Sequence, residues 1–457
     1  MDAISFGTDG WRATLDVFTS ERVRIVGQAV ATVLRDRDAD GAVAVGYDAR
    51  DSSPGFADDL ADVLTKNGFD VLRPERDVPT PVTAWTVRDR GLAGGLMLTA
   101  SHNPPEYNGV KFIPADGTPA LPETTDAIEA ALADPDPLPE ADHGAVHEVD
   151  FRGPYLDHCL DFADADLDGL TVAYDAMHGS GRGVTDALLE RAGADVVRLR
   201  CDDDPTFGGT SPEPEAERLQ RLVDLVTEGE ADLGVANDGD ADRIGVVTPD
   251  RGYLDPNRYL AALYDFLLET REGGVVRTVS TSSLVDRVAA ANDEAVHETA
   301  VGFKWVAQAM GEHDALLGGE ESGGFGVRGH LRNKDGVCLA LLTAAAHSER
   351  SLDDRIAGLV ATHGDVFQDR VSVDCPDARK AAVLGELADS LPDTVAGASV
   401  ERVNDVDGFK IVLEEGSWLL VRPSGTEPKL RVYAEAGEAA RVETLLVAGR
   451  DLVEPLV

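Results

Sequence analysis

Three acids at alternate positions, Asp238, Asp240 and Asp242 in "ADLGVANDGDADRIGVV", follow an apolar run that reads as a buried strand. Carboxylates this close repel one another unless a cation lies among them. A hard divalent ion with oxygen ligands fits, and Mg²⁺ commonly leaves a position for substrate phosphate. A calcium loop of the EF-hand type fails, because its glycine position holds Arg243 and its terminal glutamate position holds Pro249. A solvated acidic turn is the alternative. Arg243 beside the acids can orient a carboxylate or hold an anion.

Anion chemistry recurs near the C-terminus in "RPSGTEPKLRV". Arg422, Ser424, Gly425 and Thr426 put a guanidinium, two hydroxyls and an open backbone in one tight loop, with Lys429 and Arg431 just beyond. Charge-assisted hydrogen bonds plus backbone N–H donors suit a phosphate. The competing reading is a Pro-Ser-Gly hairpin turn with incidental charges. Cations are scarce in this chain, so their gathering here favours phosphate. In "LLGGEESGGFGVRGH", Glu320 and Ser322 sit in a glycine-rich loop and can bond neutral hydroxyls, as sugar recognition needs; a flexible turn is the alternative. Lys304 beside the Gly302 turn of "TAVGFKWV" is a further anion contact, and "FGTDGWR" places Arg12 in a turn.

Against these, Ser101 in "TASHNPPEYNGVKF" is a nucleophile, a helix cap or a polar loop residue on local grounds. An esterase elbow needs G-x-S-x-G, and Thr99 and Asn103 replace both glycines. His102 is adjacent in sequence, and neighbouring side chains often diverge, so a Ser-His dyad is not expected. A metal-like triplet, a phosphate-like loop and a sugar-like loop together point to phosphoryl transfer, in which a serine can carry the group covalently. Lys111, past an Asn108-Gly109 turn, is the base candidate of that stretch. The run "HGSGRG" departs from a dinucleotide fingerprint, with Val184 where the third glycine belongs.

These loops must be held by α/β layers, because short apolar strands alternate with amphipathic helices along most of the chain. "VGYDA" (45–49) and "VAYDA" (172–176) open two similar strand–Asp–loop–helix–Gly–strand stretches, which reads as a duplicated α/β unit. A third unit starts near Leu254. The Pro- and acid-rich segment 134–144 is a connector, and another boundary falls near 364–370. Beyond it "DARKAAVLGELADSL" reads as a helix and the run from Gly408 as antiparallel strands. The expected division is 1–150, 151–253, 254–368 and 369–457: three similar mixed α/β domains, then a smaller α+β domain.

The chain has 457 residues, 43% of them hydrophobic, and a formal net charge of −43. That charge argues against nucleic acid, since a polyanion would be repelled over most of the surface. The acids are spread throughout, as in the salt-adapted surface of a cytoplasmic enzyme from a high-salt organism. Four scattered cysteines lack any CxxC pair, so structural or incidental thiols in a reducing compartment are expected. No signal segment or 18-residue apolar window is present, so no membrane association is expected.

With FGTDGWR, TASHNP, NGVK, DGDADR, GEESGG and RPSGTEP in this order, the chain resembles the α-D-phosphohexomutases over nearly its whole length. The resemblance, to a halophilic archaeal member, implies four domains around a central cleft and interconversion of hexose 1- and 6-phosphates, glucose or mannose. It implies a phosphoserine at Ser101 and a hexose 1,6-bisphosphate intermediate. Mg²⁺ would be held by Asp238, Asp240, Asp242 and the Ser101 phosphate. Glu320 and Ser322 would bind sugar hydroxyls, with Arg243, Gly302 and Lys304 also contacting substrate. Arg422, Ser424, Gly425, Thr426 and Arg431 would hold the phosphate that is not reacting. Arg12 and Lys111 would lie near Ser101, Lys111 as general acid/base. Many bacterial members carry a histidine directly after the S-G of the sugar loop; this chain has Gly324, and His330 is the expected substitute. Amino-sugar and pentose phosphates are handled by related members. The partners are small sugar phosphates, and the expected state is a monomer or homodimer.

Overall fold

The computed structural model describes residues 3–7, 10–425 and 427–457. Two compact units emerge, one made of Met1–Pro256 with Ser322–Asp353, the other of Asn257–Glu321 with Asp354–Val457.

The first unit opens with β1 (Trp11–Thr14), β2 (Val43–Tyr47), β3 (Val71–Arg73), β4 (Gly94–Leu98), β5 (Tyr107–Pro114) and β6 (Val146–Glu148). They form one sheet in the order β1-β5-β4-β2-β3-β6. Strands β4, β2, β3 and β6 run parallel, and β5 is antiparallel to both β1 and β4. Helices α1 (Ser20–Asp36), α2 (Ser53–Lys66), α3 (Thr80–Asp89) and α4 (Pro122–Ala130) belong to this layer. Strand β2 is buried along its full length, as a parallel strand covered on both faces must be, which is why "VAVGY" reads as a continuous apolar run. Trp11, Phe18, Val26, Leu60 and Leu96 are in its core.

A second sheet has the order β11-β10-β9-β7-β8, from β7 (Thr171–Asp175), β8 (Asp195–Leu199), β9 (Leu233–Asn237), β10 (Ile244–Thr248) and β11 (Gly252–Tyr253). Around it lie α5 (Arg152–Ala163), α6 (Thr185–Arg191) and α7 (Gln220–Thr227). Helix α5 stops at Asp164, whose left-handed backbone (φ 47°) ends it as a C-terminal cap.

In the second unit, α8 (Pro256–Leu268) precedes β12 (Val275–Thr278), α9 (Leu284–Ala291), β13 (Val296–Thr299), α10 (Phe303–His313) and β14 (Leu317–Gly319). Strands β13, β12 and β14 are parallel. The chain then re-enters the first unit with β15 (Phe325–Val327) and α11 (Gly336–Glu349), returning through α12 (Leu352–His363).

The C-terminal region is an antiparallel sheet, β16-β21-β20-β19-β18-β17. Its strands are β16 (Phe367–Asp374), β17 (Thr394–Val395), β18 (Ala398–Asn404), β19 (Phe409–Leu413), β20 (Trp418–Pro423) and β21 (Lys429–Ala436), with α13 (Asp377–Asp389) and α14 (Ala439–Val453). Strand β16 straddles the boundary expected at 368. Within the second unit a buried charge cluster joins β13 to this sheet: Glu298 accepts from Lys410 at 2.7 Å and from Arg277, which also binds Asp286 at 2.6 Å. Among the described residues no helix is long and apolar enough to cross a membrane.

One local expectation is overturned. Asn108-Gly109 is not a turn but lies inside β5, with Asn108 opposite Ala13 and Gly109 opposite Arg12. Pairing on both edges overrides the turn propensity of the dipeptide, and the glycine serves close packing instead. A β-carbon at Gly109 would lie 2.5 Å from the Thr99 carbonyl oxygen.

Candidate active site

The loop from Thr99 to Glu106 joins two adjacent strands of the first sheet, and Ser101 sits in it fully buried with a left-handed backbone, φ 52°. A non-glycine residue there stores about 1–3 kcal/mol of strain and persists only where its surroundings fix it. Arg50 does much of the fixing. Its guanidinium, 2% exposed and paired with Asp48 at 3.0 Å, donates to the carbonyls of Ser101, Asn103, Pro104 and Tyr107. The Ser101 N–H in turn donates to Thr99 Oγ1 at 2.8 Å.

From the second sheet, the turn after β9 brings the acid triplet against this loop. Ser101 Oγ donates to Asp238 Oδ2 at 2.8 Å. The approach is closest at Gly239, where a β-carbon would lie 2.5 Å from the Ser101 carbonyl oxygen. Asp238, Asp240 and Asp242 are all buried, with carboxylate oxygens within 4.8 Å of one another. Lys111 Nζ reaches Asp240 Oδ2 and Asp242 Oδ2, each at 2.9 Å, and Lys334 Nζ reaches Asp242 Oδ2 at 2.8 Å. Thr80 Oγ1 donates to Asp240 Oδ2 at 2.6 Å.

These environments split the acids. Burial, reinforced by Asp240 and Asp242, pushes the Asp238 carboxyl well above its ordinary value. Burial works the same way on Asp242, but Lys111, Lys334 and Arg243 outweigh it and hold that group well below. The residues fit a divalent cation on a direct observation: Asp240 Oδ1 and Asp242 Oδ1 are buried without a hydrogen-bond partner. Each acid thus gives one oxygen to an ammonium and keeps another in reserve, in an all-oxygen donor set suited to Mg²⁺.

The expected neighbours divide. Arg12 lies on β1 with Nη1 3.5 Å from Asn103 Oδ1, beside the serine loop. Arg243 donates its backbone N–H to Asp238 Oδ1 at 3.1 Å and pairs with Glu213 at 3.3 Å. His102 does not diverge from its neighbour: its Nδ1 is 3.3 Å from Ser101 Oγ, made possible by the left-handed turn at Ser101. Burial, with Arg243 and Arg12 nearby, pushes this imidazole down to about 2.

His330 does not stand in for the missing sugar-loop histidine. It is buried, with Nε2 2.6 Å from Asp335 Oδ2 and Nδ1 2.9 Å from His158 Nε2, so both ring nitrogens are engaged. The space over Gly324 is taken by another residue. Lys334 Cδ lies 2.4 Å from where a Gly324 β-carbon would be.

In the second unit, three expected substrate residues come together. Glu320 accepts from the Gly302 N–H at 2.9 Å, and Gly302 has φ 122°, a conformation that favours glycine. Asp407 Oδ2 accepts from the Val301 N–H at 3.1 Å and from Arg422 Nε at 2.9 Å, tying the Gly302 turn to the hairpin loop between β20 and β21. In that hairpin Lys380 Nζ donates to the carbonyls of Ser424 and Glu427, each at 2.6 Å, and Arg431 pairs with Glu427 at 3.1 Å. Gly425 is exposed, and Thr426 lies outside the described residues. Lys304 Nζ is 5.6 Å from the Trp305 ring centre. Ser322 is exposed and begins the segment that returns to the first unit.

Sequence reasoning misses Arg50, Thr80, Lys334, Lys380 and Asp407. Lys334 and Lys380 carry the one usable signal, as members of a small lysine set in a strongly acidic chain.

Comparison with known proteins bears on the whole length. The models for phosphoglucomutase/phosphomannomutase α/β/α domains I, II and III match residues 3–138, 153–252 and 255–363, and that for the C-terminal domain matches 371–451. A Methanothermobacter thermautotrophicus protein named "Probable phosphoglucosamine mutase" is 34% identical over 94% of this chain and 93% of its own. A Thermococcus kodakarensis protein named "Phosphopentomutase" is 32% identical over 99% of this chain and 98% of its own. A Thermus thermophilus crystal structure carrying the phosphomannomutase name superimposes with a TM-score of 0.85 at 32% identity, covering 99% of each chain.

Proposed function

The chain belongs to the phosphoglucomutase/phosphomannomutase family of α-D-phosphohexomutases, enzymes that move a phosphoryl group within a sugar, and from that premise we propose a specific reaction. This chain interconverts hexose 1-phosphate and hexose 6-phosphate, of glucose or mannose, through phosphorylated Ser101. The observation that carries this reading is the contact of Ser101 Oγ with Asp238 Oδ2 inside a buried triplet held by two lysines.

In the first half-reaction the P–O bond to Ser101 breaks and a P–O bond to the free sugar hydroxyl forms, giving a hexose bisphosphate. In the second, Ser101 Oγ attacks the other phosphate. Its proton is already directed at Asp238 Oδ2; the P–O bond to Ser101 re-forms as that phosphate's bond to the sugar oxygen breaks, the sugar oxygen takes up a proton, and the sugar keeps the group it received in the first half. Lys111 and Lys334 place positive charge beside the site where charge spreads over the equatorial phosphoryl oxygens. Lys111 is the candidate for passing a proton to and from the sugar hydroxyl. Asp238, Asp240 and Asp242 would hold Mg²⁺, which when bound neutralises phosphoryl charge. Arg422, Ser424, Gly425, Thr426 and Arg431 serve the phosphate that stays in place, with Glu320, Ser322, Gly302, Lys304 and Arg243 serving the rest of the substrate.

Relatives of comparable identity bear three different sugar names, so identity alone does not select the sugar. A glucosamine phosphate is the second reading, favoured by the name of the Methanothermobacter relative. Rates on glucose, mannose, glucosamine and ribose 1-phosphates, measured at high salt with Mg²⁺ and a trace of hexose bisphosphate, decide between them. Ser101→Ala abolishes turnover while leaving sugar phosphate binding in place. Release of inorganic phosphate without sugar interconversion would replace the mutase reading with a phosphatase.

A further inference from the structure

We propose that Cys159, Cys338 and His330 form a second metal site, chemically distinct from the acid triplet, that takes zinc or a similarly thiophilic divalent ion. The three ligand atoms lie within 4.8 Å of one another, and the residues are 0%, 1% and 3% exposed. They come from distant parts of the chain. Cys159 projects from the middle of α5, Cys338 from the first turn of α11, and His330 from the loop before it. Nothing in the phosphoryl transfer uses them.

The surroundings are those of a prepared ligand set. Asp335 caps α11, accepting from the backbone of Val337 at 3.0 Å and of Cys338 at 2.9 Å, which fixes the turn that carries the second thiol. The same carboxylate binds His330 Nε2 at 2.6 Å and accepts from the Tyr155 hydroxyl at 2.7 Å. A carboxylate behind a ligating imidazole is the usual outer support of a metal-bound histidine. At the other ring nitrogen stands His158, whose Nε2 is 2.9 Å from His330 Nδ1. An ion enters by taking over one of these two bonds, while the other continues to orient the ring. The displaced partner, His158 or Asp335, supplies the fourth donor.

Donor type then selects the metal. Two thiolates and an imidazole favour zinc over Mg²⁺, which demands oxygen ligands. Binding releases two thiol protons, so the two thiolates offset the divalent cation, and the remaining Asp335 charge is held by the Tyr155 hydroxyl and the α11 backbone N–H groups. With four protein donors and no exposure the site is structural, joining α5 to α11. The other two cysteines, Cys201 and Cys375, take no part.

The test uses the full chain in high-salt buffer, stripped with a strong zinc chelator and reloaded with one equivalent of Zn²⁺ or Co²⁺. Zinc is expected to co-elute with the protein at a one-to-one ratio and to raise Tm. Cobalt is expected to give a thiolate-to-metal charge-transfer band with the visible spectrum of tetrahedral coordination. Asp240→Asn should leave that band intact, since the acid triplet offers no sulfur. Cys338→Ser should remove it. The proposal is overturned if the reloaded wild-type chain retains no zinc and shows no charge-transfer band, a result that needs no variant to fold. It is overturned equally if the band survives in Cys338→Ser.

Discussion

The side chain of Lys334 lies across the α-carbon of Gly324, so that a β-carbon there would fall 2.4 Å from Lys334 Cδ and 2.8 Å from Cγ. At the position where the resemblance leads one to expect a histidine, this chain has Gly324, and Lys334 runs through the space on its way to Asp242.

The first prediction follows from that exclusion. Gly324→His displaces Lys334 from Asp242 and lowers mutase kcat/KM by roughly tenfold or more. The double variant Gly324→His with Lys334→Gly does not recover the loss, because the ammonium beside Asp242 is then absent altogether. Steady-state kinetics on the three proteins decide it; equal rates for wild type and Gly324→His would show that the lysine is not held there.

Lys334→Met tests the same ion pair through stability. Asp242 keeps Lys111 but loses one of two ammonium partners in a buried setting, where the pair's side chains are 9% and 1% exposed. The expected loss is about 2 kcal/mol in denaturant unfolding without divalent ions. Added Mg²⁺ should restore most of it, since a bound cation supplies the missing charge to the folded state alone. A loss that magnesium leaves unchanged would point to packing over Gly324 instead.

Asp407 gives a prediction on binding. It holds Arg422 and the Val301 backbone in one carboxylate oxygen's reach and carries no candidate chemistry itself. Asp407→Ala should raise KM for hexose phosphate roughly tenfold with kcat little changed, the signature of lost uniform binding. A fall in kcat at constant KM would assign Asp407 to the transition state.

Glu298 gives a prediction on pH. Burial would raise its carboxyl, but Arg277 and Lys410 outweigh this and hold it down to about 2. A depressed folded pKa stabilises the chain fully above the ordinary carboxylate value and loses that contribution as pH falls toward 2. Glu298→Gln should therefore lose about 3 kcal/mol near neutral pH, where buried Lys410 loses its carboxylate partner and Arg277 one of two. The gap to wild type should narrow steadily below pH about 4.5. Lys410 acts in a separate window: burial, with Arg277 beside it, lowers its ammonium to about 8, so the penalty for holding it charged is relieved as pH climbs above 8. A gap between the two proteins that ignores acid pH would remove Glu298 as its source.

What is legible in the sequence is what local composition can carry. The Asp238–Asp242 triplet and the Arg422–Arg431 loop are contiguous, so their chemistry shows in a single window, and alternating strands and helices show the α/β layers. Lys334 reaches Asp242, and Arg50 reaches Ser101, across long stretches of chain, and no window contains both partners. Asn108-Gly109 misleads for the complementary reason: its turn chemistry is local, and the pairing that overrides it comes from Trp11–Thr14 on one side and Thr99 on the other. His102 escapes because adjacent side chains usually part, and the left-handed backbone of Ser101 that reverses this is invisible in a residue string.

The clamp on Ser101 has a consequence for the order of events. Its carbonyl is gripped by Arg50 on one side and pressed by Gly239 on the other, and its N–H is tied to Thr99. The backbone of Ser101 is an anvil, held on both sides. Under the reaction proposed above, which presents two ends of one sugar to the same oxygen, the backbone beneath that oxygen stays still, and reorientation is left to the sugar.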